Sequence, residues 1–493
     1  MGVYIRLGDY RTRFELGGKE LIKSVGIDLA GNGEHKVRCL DEQGQLCDGF
    51  SFDSTPGGLA KFEERVFKDG SNPIIVFEPT GLAWLILAVY IRGQHPDCRL
   101  VRTQGRNVAA LRKYLHRSSK SDKLDALTLA KMPFVNQERL NDIYLPPAKI
   151  NAILRLARQR QRLEADIAGR KKRILSIVNG YIPGIRQTFS NLWSPQGREF
   201  LRTHLNPLAV ARSGEKALDR FLTRARFRGK EDAEESHTVY LTCKMAATIY
   251  EKSRSTGAID DDFFAALQDE IARELRLMEA EEAESEAIAQ RLQELYKEMH
   301  PSDNLRTIPG VGEQTAPIFL AVIGDPARFH SQSAFANYNG VVPDSRQSAN
   351  TEAKGLRMTK AGPAIMKWAL YQSSQIGRRF DPQLAWVYYH EIVNNGKNHK
   401  QAMGAVMSHI GARILAVLRE NKPYELRDLQ GKPITWANAR RLILANYQVP
   451  EEIKQERRRC KSAGGSAKAR NKRREMKAHR AHEAADAPQP VVA

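Results

Sequence analysis

The sequence predicts an α/β domain in the first third of the chain, followed by long helices and a mainly α-helical C-terminal half. Three observations carry this. From Ser24 onward the pattern reads strand, strand, strand, helix, strand, helix, strand, helix. Two stretches, Ile150 to Val178 and Phe263 to Met299, repeat apolar residues at helical spacing well beyond ordinary helix length. After Pro301, apolar helical runs alternate with turns rich in Gly and Pro.

The first strand is Ser24-Val25-Gly26-Ile27-Asp28-Leu29-Ala30, β-branched and apolar with one acid inside it. Gly31-Asn32-Gly33 turns into a second strand, Glu34 to Leu40, and the Glu42-Gln43-Gly44-Gln45 turn leads to a third ending at Phe52. Connections this short make an antiparallel meander. Pro56 to Asp69 is amphipathic, with Leu59, Phe62 and Val66 on one face. Pro73 to Glu78 reads as a buried strand ending in an acid, followed by Pro79-Thr80-Gly81. An apolar helix from Leu82 to Ile91, a short strand Cys98 to Val101, and helices starting at Gln104 and Ser121 follow.

The last of these opens with Lys120-Ser121-Asp122-Lys123-Leu124-Asp125-Ala126. Ser121 can cap its N-terminus, and Asp122 and Asp125 share a face. Paired carboxylates repel unless a helix N-terminus or a cation lies beside them. An acid in an apolar strand is costly unless it is paired or bound to an ion. Each acid alone reads as a solvated surface group. Together Asp28, Glu78, Asp122 and Asp125 could form one carboxylate cluster for two metal ions, held roughly 3.5–4 Å apart.

The element order and these acids resemble the ribonuclease-H-like (RuvC-like) fold. Gly26-Ile27-Asp28, Phe77-Glu78-Pro79-Thr80-Gly81 and Lys120-Ser121-Asp122-x-x-Asp125-Ala126 resemble the DEDD transposases of the IS110 insertion-sequence family. The resemblance implies that Asp28, Glu78, Asp122 and Asp125 bind magnesium (Mg2+).

The first long helix exposes Arg158, Arg160, Arg162, Arg170, Lys171, Lys172 and Arg173, and the second is acidic around Glu279 to Glu286. Opposite charge makes pairing with each other the simplest expectation, with phosphate contact as the alternative for the basic face. In the resembling family they form a coiled-coil segment through which protomers associate, which implies a homo-oligomer, a dimer or a tetramer. Residues 179–262 read as several short helices without evident chemistry. In Thr307-Ile308-Pro309-Gly310-Val311-Gly312, Gly310 and Gly312 permit a tight turn whose amides can hold a phosphate. This turn resembles a helix-hairpin-helix DNA-binding element.

Gly340-Val341-Val342-Pro343, then Gln347-Ser348, then Thr359-Lys360-Ala361-Gly362 resemble the C-terminal domain of the same family. There the serine after the Gly-x-x-Pro turn is the nucleophile, which maps to Ser348. Ala349 stands where the family carries glycine, and Pro363 where it carries Asn or Asp, so Ser345 stays a rival. Arg357 and Lys360 are candidates for gripping phosphate. The resemblance runs in order from Val25 to Leu418. Expected domains are 21–145 (acid-bearing), 146–300 (helical), 301–420 (serine-bearing), an appendix 421–452, and a basic tail 453–493 in which disorder is expected.

Composition bounds the partners. The 493 residues carry a formal net charge of +20 and a pI near 9.7, which favours a polyanion. Between Ile453 and Arg480, twelve Lys/Arg face two Glu, so half of the surplus is local and the body is basic too. The five cysteines form no Cys-x-x-Cys pair, which argues against a zinc site or a disulfide framework. The longest apolar run is too short to span a bilayer, and Met1 to Arg6 has no signal-peptide core. A cytoplasmic, nucleoid-associated bacterial or archaeal protein is expected. The resemblance implies a transposase that cuts and rejoins donor and target DNA, guided by a structured RNA. A magnesium-dependent nuclease or junction resolvase using activated water, and a non-catalytic nucleic-acid scaffold, are the competing classes.

Overall fold

The structure is a computed structural model. It describes residues 21–455 except 118, 225–229, 254–255, 343–346, 349–350, 353–357 and 360–361, and the backbone alone at 69, 139, 224, 230–233, 253, 347–348 and 351–352. The chain divides after Leu145 into two compact units.

The first unit is built on a mixed five-stranded sheet. Its strands are β1 (Ser24–Asp28), β2 (His35–Leu40), β3 (Leu46–Phe52), β4 (Ile74–Phe77) and β5 (Leu100–Arg102), in the order β3-β2-β1-β4-β5. β1, β2 and β3 pair antiparallel, as their short turns require, while β4 and β5 add in parallel on the other side of β1. The helices are α1 (Pro56–Val66), α2 (Ala83–Gln94), α3 (Gly105–His116) and α4 (Asp122–Asn136). This arrangement is compatible with a ribonuclease-H-like domain. β1 and β4 are buried on both faces, which is why they read as unbroken apolar runs. Phe62 of α1 is fully buried and meets Phe52 of β3 at 4.8 Å between ring centroids.

Gly26 decides where α4 lies. A Cβ there would collide with the Ala126 carbonyl oxygen and the Ala130 amide nitrogen, so helix backbone rests directly on strand backbone. Ser24 Oγ donates to the Ala130 carbonyl at 2.7 Å and ties the two elements further.

In the second unit, α5 (Ala148–Tyr181) is followed by α6 (Ile185–Thr188), α7 (Pro195–Thr203), α8 (Pro207–Ser213), α9 (Glu215–Arg224), α10 (Lys230–Ser253) and α11 (Asp261–Met299). α5 and α11 run antiparallel against each other, as the successive pairs Lys149–Glu298, Arg160–Ser285 and Arg170–Glu281 show. Arg170 bridges Glu281 at 2.8 Å and Glu274 at 3.0 Å, and Lys171 bridges Glu282 at 3.1 Å. The charge complementarity of these helices is therefore used within one chain. Both ends of the pair are apolar, and each end belongs to a separate core. Between the cores the contact turns polar, with Ser285 donating to Glu164 at 2.8 Å. The region expected as short helices instead contains the 24-residue α10. Its apolar positions Val239, Cys243, Ala246 and Ala247 bury one stripe, with Ala and Thr diluting the pattern.

The C-terminal part comprises α12 (Ala316–Ile323), α13 (Gln332–Asn339), the hairpin β6 (Gln347–Ser348) and β7 (Thr351–Glu352), α14 (Ala364–Gly377), α15 (Pro382–Val393), α16 (His399–Glu420) and α17 (Trp436–Asn446). α16 is long and apolar enough to cross a membrane by composition alone, but it buries residues such as Met403, Ile410 and Ile414 in the core of this unit. The segment expected as a polar appendix holds α17, anchored by Ala439 and Ile443.

Candidate active site

β1 and β4 are neighbouring parallel strands in which Ile27 faces Phe77. The next residue along each strand is Asp28 and Glu78, so register alone places the two acids side by side at the carboxyl ends of the strands. That edge is the usual location of sites in parallel sheets. The fall of Gly26 under Ala126 brings the first turn of α4 to the same edge. Ser121 caps that helix by accepting from Leu124 N at 3.3 Å, which leaves Asp122 and Asp125 in its first turn.

The Asp28 carboxyl is pushed up to about 6, first by burial and then by the charges of Asp122, Asp125 and Glu78, with Lys120 opposing them. Glu78 lies against Gly105, the first residue of α3, where any Cβ would strike its Oε1. Asp125 is engaged by Arg112 of α3, Nη1 to Oδ1 at 2.5 Å, with both side chains largely buried. Gly105 and Arg112 were not singled out from the sequence, and Lys120 entered only as the head of the motif, with no role of its own. Nothing in the local pattern distinguishes them from ordinary helix residues.

The donor set is carboxylate oxygen only, which suits a hard divalent ion. Burial first, and then the neighbouring carboxylates, hold the Asp28 carboxyl up, and a cation beside it would favour the ionised form. Among the described residues no group of three or more His, Cys, Asp or Glu side chains stands close enough to enclose an ion. The acids suit a divalent cation in kind and charge, but as they stand they are not gathered closely enough to enclose one, and Arg112 holds Asp125.

The second expected site is a loop between α13 and α14. Gly340 caps α13 with φ +65°, and Thr359 N donates to the Val342 carbonyl at 3.1 Å, closing the loop at its base. Gly362, with φ +79°, packs on the Tyr338 and Asn339 carbonyls, where a Cβ would collide. Within the loop, Ser348 pairs with Thr351 across the β6–β7 hairpin. The side chain of Ser348 lies outside the described residues, as do Ser345, Arg357, Lys360 and the tail from residue 456. Gly310 and Gly312 fall between a 3-10 turn, Asn304–Thr307, and α12. Gly310, at φ +90°, lies on the α14 backbone at Ser373 and Gly377, while a side chain at Gly312 would meet open space.

Residues 25–183 match a DEDD transposase model of the IS110 type, and residues 302–389 match the model described as Transposase IS116/IS110/IS902 family. Those two spans hold the four acids and Ser348. The chain belongs to the IS110 family of transposases.

Several relatives accompany the match. An uncharacterized 43.6 kDa protein of insertion element IS110 from Streptomyces coelicolor is 22% identical over 82% of this chain and 95% of its own length. An uncharacterized 44.8 kDa protein of insertion element IS116 from Streptomyces clavuligerus is 20% identical over 81% of this chain and 95% of its own length. The pilin gene-inverting protein of Moraxella lacunata is 31% identical over 25% of this chain and 38% of its own length. This IS110-family chain is a DNA transposase or recombinase, and its DEDD domain points to use of a divalent metal.

Proposed function

We propose that this transposase cuts and rejoins DNA with Asp28, Glu78, Asp122 and Asp125 gathered around magnesium and with Ser348 as the nucleophile. The observation that supports the proposal is the register that sets Asp28 and Glu78 at the ends of neighbouring strands, with the first turn of α4 held to the same edge over Gly26. When bound there, the ion polarises the scissile phosphodiester and stabilises the leaving oxygen.

The chain's own residues do the rest. The acids fix the site, and Arg112 neutralises Asp125 until an ion is bound. Ser348 Oγ attacks phosphorus, a serine–phosphate bond forms as a backbone P–O bond breaks, the serine proton leaves to solvent, and the departing deoxyribose oxygen is protonated. An incoming DNA hydroxyl reverses the step and restores the serine. Bond energy is kept in the covalent link, so no nucleotide triphosphate is consumed. Arg357 and Lys360 grip the phosphate near the serine, and the turn at Gly312, whose Cα faces open space while Gly310 fixes the turn on α14, serves a backbone phosphate elsewhere on the DNA. Site choice rests on base pairing by a structured guide RNA, and the protein acts as a dimer or tetramer. The naming of two relatives as pilin gene-inverting proteins supports strand exchange over simple cleavage.

The test is a protein–DNA adduct assay on denaturing gels with substrate DNA and magnesium. Wild type forms the adduct and Ser348→Ala forms none. An adduct that persists in Ser348→Ala and disappears in Ser345→Ala transfers the role to Ser345. Cleavage without any adduct in the wild type identifies a water-using nuclease.

A further inference from the structure

A cavity of about 670 Å³ opens in the C-terminal unit where the end of α14, α15, the start of α16 and α17 meet. Arg378, Arg379 and Arg440 line it together with Tyr388 and Tyr447, and Lys454, paired with Glu451 at 3.1 Å, stands at its edge; no Asp or Glu is among its described lining residues. Elsewhere in this unit arginines on packed helices have carboxylate partners: Arg170 has Glu274 and Glu281, Arg198 has Glu282, and Arg413 has Asp381.

The cavity arginines are handled differently. Arg378 is half-buried, donates from Nε and Nη2 to Gln375 Oε1 at 3.3 and 3.1 Å, and lies over the Tyr388 ring at 4.2 Å. Arg440 donates to the Arg379 carbonyl at 3.2 Å and lies over Phe380 at 5.6 Å. Among the described residues, Arg378, Arg379 and Arg440 have neutral partners or none. Burial and the charge of Arg379 both disfavour the Arg378 cation. His399 Nδ1 lies 2.9 Å from the Tyr388 hydroxyl and steadies that ring. Uncompensated cations in a concave, aromatic-edged space are what an anion with a flat apolar part requires. The volume falls within the roughly 300–1,000 Å³ of small-ligand sites, too little for a duplex.

We propose that this cavity holds an unpaired nucleotide of a single-stranded nucleic acid, its phosphate on Arg378, Arg379 and Arg440 and its base beside Tyr388 and Tyr447. The two family matches end at residue 389, so α17 and Lys454 add to the site from outside them. The inference does not depend on Asp28 or Ser348.

The experiment uses the full chain and fluorescence anisotropy with labelled single-stranded RNA and DNA of about 12 nucleotides, inorganic phosphate as competitor, and duplex DNA as reference. Arg440→Gln, an exposed position, weakens single-strand binding about tenfold and lowers the salt slope by about 0.7. Tyr447→Ala weakens binding and leaves the slope unchanged. Arg378→Gln/Arg440→Gln weakens it further, with thermal melting checking the fold of each variant. Duplex binding and adduct formation stay as in the wild type. The strand type that loses more affinity, RNA or DNA, names the source. Unchanged single-strand affinity and slope in Arg440→Gln, or inorganic phosphate competing as well as an oligonucleotide, overturns the proposal.

Discussion

Asp28 is the position where folding and function pull apart. Its neighbours Ser24 to Ile27 are buried, and it ends the same strand within the field of Asp122, Asp125 and Glu78. Its folded pKa, about 6, lies above the ordinary 3.8, so the folded chain holds this proton more tightly than the unfolded chain. Stability from this group is present in full below about pH 4 and is lost as pH climbs through about 6. Urea midpoints of the metal-free chain are expected to fall between those pH values, and Asp28→Asn is expected to flatten that decline. An unchanged decline in the variant places its source elsewhere. Asp28 and Glu78 were legible in the sequence because an acid in an apolar strand is costly enough to need a reason. Arg112 was not, since its partnership with Asp125 exists only once α3 and α4 lie side by side.

At the scale of elements, two glycines set the geometry. Gly26→Ala drives α4 off β1 and is expected to cost about 3 kcal/mol or more, with divalent-ion binding lost. Gly31→Ala, where a Cβ meets nothing within 4 Å, is expected to stay within about 0.5 kcal/mol. Calorimetry and chemical denaturation of both variants check the pair. Gly362→Ala forces a side chain onto the Asn339 backbone at φ +79° and loosens the base of the Ser348 loop. Adduct yield is expected to fall about a hundredfold while ion binding at the acids is retained, measured by the gel assay beside ion titration. The long helices show what periodicity can and cannot say. Their existence and opposite charge were readable, and that charge made pairing with each other the simplest expectation; the antiparallel direction came only from the structure. The length of α10 was not readable, because small residues on its buried stripe give a weak apolar signal.

On the scale of the molecule, charge is unevenly distributed. Residues 456–493 carry eleven Lys/Arg against four Asp/Glu. Their removal is expected to weaken non-specific duplex binding and to flatten its dependence on salt, leaving adduct formation on a saturating substrate unchanged. Filter binding across a salt series measures the first, and the gel assay the second. A variant with an unaltered salt slope shows that the body supplies the phosphate contacts. The buried Asp381 illustrates the opposite use of charge: itself without solvent contact, it caps α15, accepts from Tyr424 at 2.7 Å and pairs with Arg413 at 3.2 Å, closing a structural network.

By itself the sequence determined the order of strands and helices, the family, and the acids and serine worth testing, because these are properties of neighbours along the chain. Period, turn chemistry and misplaced charge are all local. Tertiary structure alone decided which acids share an edge, that Arg112 and Gly105 attend them, that Gly310 supports a helix, and that α17 walls a cationic cavity. Those facts depend on where backbone meets backbone, and close approach between segments a hundred residues apart leaves no mark on either segment read alone.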